Sequence, residues 1–285
     1  MSHQRVGIDQ RGGELIAVTV REDAGRVVVD HIETGTDALV DPRDVVQDFT
    51  VRIAIPDHLV MVKRLRLDGS SAGSLRDRVC FELTQSLLEG EDQFHFDYLP
   101  VDDSGRYLGT IVRREHLDEI AGRYGWKTPF DDTRLSFQTR AIALGKGYLA
   151  FGAATDTDLT ALVDLAGANA SLCFLYDRRI VEIASVALTG YDLAGEPGRE
   201  CFAADLRTVI NYRLSTLFKA GVSVPLGKLL LCGEAVDDEL FRKVQGYFPM
   251  GVGQPHVMEG YFPACNESRR EKLPLFLVAL GLTVN

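Results

Sequence analysis

Residues 164–190 read DLAGANASLCFLYDRRIVEIASVALTG, and the parsing of this stretch decides the fold. An aspartate and a run of small residues lead into two apolar segments joined by the charged turn YDRR, and Gly190 closes the second. Apolar, β-branched and aromatic runs on either side of such a turn predict a β-hairpin. The outline occurs a second time. Asp9 opens the runs LIAVTV and RVVVDHI, joined by REDAGR and closed at Gly35, and both spans from aspartate to glycine measure 26 positions. A duplicated hairpin predicts two lobes, one opened by each copy, with a cleft between the two aspartates.

Length and composition agree with a bilobed protein. The 285 residues exceed what one compact core usually organises, and 46% hydrophobic with 25% charged residues is ordinary soluble composition. With 31 basic against 41 acidic side chains the net charge is −10, which disfavours nucleic acid as a partner and direct adsorption to an anionic membrane. The opening MSHQRVGIDQRGGE is too polar for a signal peptide. The longest apolar stretch, Leu273 to Val284, is about 12 residues where a membrane span needs roughly 20, so direct membrane insertion is not expected. Five cysteines (Cys80, Cys173, Cys201, Cys232, Cys265), odd in number and far apart, read as reduced thiols of a cytoplasmic protein.

Between the hairpins the texture changes. A short stretch with Asp41-Pro42 is followed by VRIAI, stopped by Pro56, and by VMVKRLRL, both strand candidates. A helix is predicted from about Gly73 to Leu88, with Leu75, Val79, Leu83 and Leu87 at steps of four. FHFDYLPV and YLGTIVRR form a strand pair around DDSG, and HLDEIAGRYG is a helix ending at glycine. Leu135 to Lys146 reads as a helix returning to the main body. Beyond the second hairpin come an amphipathic helix at 199–220, the buried strand KLLLCG, the helix DDELFRKVQGYF and a closing apolar helix, LPLFLVALGL. The basic run Lys63, Arg64 and Arg66 reads as an edge strand guarded by charge or as a docking surface.

Two aspartate-led hairpins and a later strand ending in a glycine turn resemble the actin-like, sugar-kinase-like ATPase layout. The block RIAIPDHLVMVKRLRL, SLRDRVCFELTQSLL, FDYLPV and GTIVRREHLDEIAGRYG is similar to the PilM family, an FtsA-like branch of that superfamily. LTALVDLAGANASL, ADLRTVINYRLSTLF, KLLLCGEAVDDELFRKVQGYF and ALGL follow in the family's order, so the resemblance covers nearly the whole chain. It implies an α/β, bilobed actin-like fold with an inserted α+β subdomain: residues 1–50 in the first lobe, 51–130 as the insert, 131–150 returning to the first lobe, and 151–285 as the second lobe. It further implies a cytoplasmic part of a type IV pilus or type II secretion platform, peripheral at the inner membrane. The partner would be the cytoplasmic tail of a PilN-like single-pass protein, docked at the insert and its neighbour in the first lobe, with self-association as a family property. The cytoplasmic domain of a GspL-type protein shares the architecture. An FtsA-like division protein is a third reading, but no C-terminal amphipathic membrane helix supports it.

The resemblance also nominates a nucleotide site. Its first hairpin should read Gly-Ile-Asp-x-Gly; Gly7, Ile8 and Asp9 match, but Gln10 and Arg11 follow, so a long side chain stands at the glycine position and Gly12 offers a shifted turn. In the second hairpin Asp164 is followed by Gly167 one position late, then Asn169, and hydroxyls are scarce before Ser171. The adenosine-side turn, Leu231-Cys232-Gly233-Glu234-Ala235, keeps one glycine and puts a carboxylate for the other. The implied set is Asp9, Gly12, Asp164, Gly167, Asn169, Gly233 and Glu234, with Asp9 and Asp164 holding the hydrated Mg2+ of ATP. All three motifs depart at small-residue positions, so the expectation is a retained fold with weak or lost nucleotide binding. The alternative is an active ATPase or kinase of the same fold. Gly145-Lys146 is no Walker lysine, since Arg140 stands at the required earlier glycine, and the six histidines show no metal-ligand spacing.

Overall fold

The computed structural model describes residues 4–23, 26–35, 49–67, 74–126, 134–154, 157–262 and 272–284. The first lobe opens with three antiparallel strands, β1 (Gln4–Arg11), β2 (Glu14–Asp23) and β3 (Arg26–Gly35), and β4 (Phe49–Ile55) pairs in parallel with β1. The Asp41-Pro42 stretch lies outside the described residues. An inserted unit follows: β5 (Val60–Arg66), α1 (Leu75–Thr84), β6 (Phe94–Pro100) and β7 (Arg106–Arg113), with α1 packed on a sheet of order β5-β7-β6. The chain returns through α2 (Arg114–Arg123), β8 (Leu135–Thr139) and α3 (Arg140–Phe151). The second lobe has β9 (Leu159–Ala166), β10 (Asn169–Tyr176), β11 (Arg179–Ala187), α4 (Glu196–Lys219), β12 (Leu226–Gly233), α5 (Asp238–Tyr247), β13 (Val252–Gly253) and α6 (Leu277–Leu282).

The two main sheets repeat one plan. Their orders are β3-β2-β1-β4-β8 and β11-β10-β9-β12-β13: in each, an antiparallel meander of three strands and two parallel strands added beside the first. The 26-residue echo is thus the β2–β3 and β10–β11 hairpins, each preceded by the strand that carries its aspartate. β9 and β10 read as nearly unbroken apolar runs because they are covered on both faces.

Three expectations change. LSFQT is not the start of a helix: it is β8, paired with β4 from Val51↔Leu135 to Ile55↔Thr139, and the helix begins only after Thr139, whose side chain accepts from the Ile142 N–H as N-cap. The helix expected to reach Leu88 stops at Thr84, after which Lys63 Nζ donates to the Glu82 carbonyl and to Ser86 Oγ. The insert is smaller than 51–130, since β4 belongs to the first lobe's sheet and α2 buries Leu117, Ile120 and Ala121 against it.

The core is built around α3 and α6. α6 lies on β1, β2 and β4, α3 lies on β10 and β11, and the two helices pack against each other. Their backbones touch. A Cβ on Gly281 would sit 1.7 Å from the Ala143 carbonyl oxygen, and one on Gly147 2.0 Å from that of Leu277. β5 is an edge strand of the insert's sheet, and its basic run is engaged in part: Arg66 is exposed, while Arg64 pairs with buried Glu182 and donates to the Thr216 carbonyl, fastening the insert to the C-terminal end of α4. Arg106 does the same at the Ala220 carbonyl. Among the described residues no helix is long and apolar enough to cross a membrane, and the four described cysteines are free thiols.

Candidate functional site

The cleft is assembled where β1 and β9 end. Side chains two apart on a strand share a face, so Asp9 and Arg11 point the same way, and Arg11 Nε donates to Asp9 Oδ2 at 3.0 Å. The rest of the guanidinium crosses to the second lobe: Nη1 meets Asp164 Oδ1 at 3.0 Å and Nη2 meets Oδ2 at 3.1 Å. Arg140, first residue of α3, closes the cluster from the other side. Its Nη2 donates to Asp164 Oδ2 at 2.8 Å and its Nη1 to the Gln10 carbonyl at 3.0 Å, with Asp9 Oδ1 3.2 Å away as an ion pair outside hydrogen-bond geometry. Both aspartates have no exposed surface and Arg11 has 2%, so two cations and two anions balance inside the protein. Burial by itself lowers the guanidinium pKa, but Asp164 and Asp9 outweigh it and the Arg11 pKa is raised. Cys232 Sγ lies 3.7 Å from Asp164 Oδ1, and burial together with that carboxylate pushes the thiol up, so it stays a neutral donor.

The turns beyond the two aspartates also meet. Gly12 and Gly167 take matching left-handed conformations, φ +55° and +57°, three residues after their aspartates. A Cβ on Gly167 would lie 2.9 Å from the Gly12 nitrogen, so only glycine allows this approach. Glu234 Oε1 accepts from the Gly167 N–H at 2.8 Å. Gly233, last residue of β12, lies against the Leu165 backbone, and Asn169 Nδ2 pairs with His58 Nδ1 at 2.9 Å across the cleft. Every nominated residue therefore lies in or beside one place. The arrangement differs from the expected one: the two carboxylates nominated for magnesium face guanidinia.

Asp57, at the turn after β4, was not singled out in the sequence. Its Oδ1 accepts from the Ala141 N–H at the start of α3. Burial pushes its carboxyl up to about 6, against the opposing pull of Ser171, the Ala141 N–H and Arg140, while Asp164 adds to the rise. The native state thus holds a proton that the unfolded chain has released. This stabilisation is complete below about pH 4, falls as pH rises, and is gone above about pH 6, a change of roughly 3 kcal/mol. Asp57→Asn is expected to remove that downward slope from urea-unfolding midpoints measured between pH 4 and 7; parallel wild-type and variant curves would contradict it.

A second concavity lies between the insert and the first lobe. β6 and β8 are the outer strands of their sheets, and each has one lateral edge without a strand partner among the described residues. Between them runs a groove of about 690 Å3 lined by Arg52, Asp97, Gln138 and Lys146. Gln138 is 9% exposed and its Oε1 is buried without a hydrogen-bond partner. Burial, aided by nearby Arg52 and only partly opposed by Asp97, lowers the Lys146 pKa to about 8.

No protein-family model matches the chain, and no curated protein matches it in sequence. Solved structures do match. A chain of the PilM-PilN type IV pilus biogenesis complex superposes with a TM-score of 0.71 at 14% identity, over 98% of this chain and 97% of that one. The chain has the fold of PilM. A Bacteroides thetaiotaomicron protein described as having an actin-like ATPase fold and unknown function matches at TM-score 0.54 and 8% identity, over 99% of this chain and 96% of the other. A looser match, at TM-score 0.49 and 9% identity over 100% and 96%, is the cytoplasmic domain of EpsL from the type II secretion system of Vibrio cholerae. At these identities the likeness is one of fold.

That fold implies a magnesium nucleotide in the cleft, and the residues present do not fit one. Mg2+ needs oxygen ligands in near-ideal octahedral geometry and keeps most of its water. Here both carboxylates are dry, and their oxygens are turned to Arg11 and Arg140. The Gly167 amide already has an acceptor in Glu234. Sequence reading flagged Arg11 as an obstacle and Arg140 as a missing glycine, but gave neither a partner.

Proposed function

We propose that the protein is an actin-like scaffold beneath a type IV pilus or type II secretion platform. Its groove between β6 and β8 takes the cytoplasmic tail of a PilN-like single-pass inner-membrane protein, and its nucleotide cleft binds weakly or not at all. The protein would then be cytoplasmic and held at the inner membrane through that tail. The observation that carries the reading is the groove itself. It offers to an extended segment two strand edges that are unpaired among the described residues, and its lining holds a buried acceptor on Gln138 and the desolvated ammonium of Lys146. An added strand would satisfy the backbone edges while its side chains answer those two groups. The PilM fold, solved elsewhere in a PilM-PilN complex, supports the same assignment.

The test is titration calorimetry with a peptide spanning the cytoplasmic tail of the single-pass membrane protein encoded beside this one. Wild type is expected to bind, and Lys146→Glu to weaken binding at least about tenfold, as loss of a desolvated charged contact does. A tail that does not bind wild type defeats the scaffold reading. Equal binding by Lys146→Glu moves the docking site elsewhere.

A further inference from the structure

The chain departs from the actin-like glycine pattern at two cleft positions, Arg11 and Glu234, and these two side chains meet complementary halves of the same site. Arg11 lies between the carboxylates of Asp9 and Asp164, with nitrogen–oxygen distances of 3.0 to 3.1 Å. Glu234 Oε1 accepts from the Gly167 amide at 2.8 Å, and the site of a Cβ on Gly12 lies 3.6 Å from the same oxygen. We infer that Arg11 and Glu234 are built-in replacements for a magnesium phosphate: the guanidinium stands for the cation between the aspartates, and the carboxylate stands for the phosphate oxygen at the glycine turn.

Charge balance supports the assignment. Two arginines neutralise two aspartates in a dry cluster, so a divalent cation would enter with its charge uncompensated. A phosphate approaching the Gly12–Gly167 turns would meet a carboxylate already bound to an amide donor. Each replacement removes one half of the ligand's attraction, and the two together tie the lobes without any nucleotide. Arg11 joins β1 to β9, and Glu234 joins the end of β12 to the turn that touches Gly12.

The cleft is then a latent site, and removing both replacements should reopen it. In Arg11→Gly/Glu234→Gly, only Arg140 remains against two carboxylates, so the cluster gains a net negative charge and the amide loses its internal acceptor. Melting of wild type, each single variant and the double variant, with and without millimolar Mg-ATP, gives the test. The double variant is expected to gain about 5 °C in Tm with Mg-ATP and to show calorimetric binding, while wild type and Glu234→Gly gain neither. A folded double variant without either response overturns the inference. Where variants lacking Arg11 do not fold, Glu234→Gly still decides: exchange of the Gly167 amide should speed up at least about tenfold, and unchanged exchange overturns the inference. The inference rests on the reading of the cleft as one that no longer takes nucleotide. Tight Mg-ATP binding by wild type would sink that reading and this one together, whereas a silent double variant beside a silent wild type would sink only this one.

Discussion

Asp164→Ala is expected to cost the fold about 3–5 kcal/mol, the size of loss that follows when one partner of a buried charge group is removed. Asp164 takes both terminal nitrogens of Arg11 and one of Arg140, and it has no exposed surface. Without it Asp9 faces two guanidinia alone, and one positive charge is left in a space that water does not reach. A margin of 5–15 kcal/mol is usual for a folded protein, so the variant would keep only part of its stability. Urea unfolding should show a lower midpoint at unchanged slope. Pairing the change with Arg11→Met restores charge balance and should recover much of the loss, because whole buried ion clusters are often replaceable by apolar side chains even though their halves are not. A midpoint equal to wild type for Asp164→Ala would mean that the cluster does not hold the lobes together.

The second large effect belongs to a glycine. Gly281→Val places a branched side chain where even a Cβ would lie 1.7 Å from the Ala143 carbonyl oxygen. The obstacle is backbone, so no rotamer relieves it, and α6 must move off α3. Because α6 lies on the first lobe's sheet and α3 on the second's, that movement opens the layer shared by both. Overpacking of well-filled cores costs 1–3 kcal/mol and sometimes more; a clash of this kind belongs at or above the upper end, about 3 kcal/mol. Gly281→Ala should show the same direction with a smaller drop. Thermal unfolding checks both, and a Gly281→Val protein melting within about 3 °C of wild type would contradict the helix contact.

The duplicated plan was legible because it rests on local patterns: hairpin turns, apolar alternation and an aspartate-to-glycine spacing. The place of short elements was less so. LSFQT has five residues, too few for a period to separate strand from helix, and its pairing with β4 is set by a partner far away in the chain. VRIAI was recognised as a strand, but the sheet it joins depends on β1, not on its neighbours in sequence. The cleft shows the same division. Its residues were nominated from motif positions, and they do converge. That Arg11 would reach an aspartate 153 positions away was not visible from either end, since a long side chain at a glycine position reads only as an obstacle until its counter-ion is located. Arg140 illustrates the point further: its value as a second cation follows from capping geometry that puts the start of α3 against the ends of β1 and β9.

The fastening of β5 to α4 has a mechanical meaning. Arg64 and Arg106 bind the insert to the second lobe, the strands and α2 continue it into the first, and Arg11 with the α3–α6 contact joins the first lobe to the second. Three bodies connected pairwise make a triangle, and a triangle does not shear the way two bars on one pivot do. A pull applied at the edge of the insert would be shared between two struts, one through β4 into the first lobe and one through Glu182 and the end of α4 into the second. Cutting either strut should turn a stiff frame into a swinging arm.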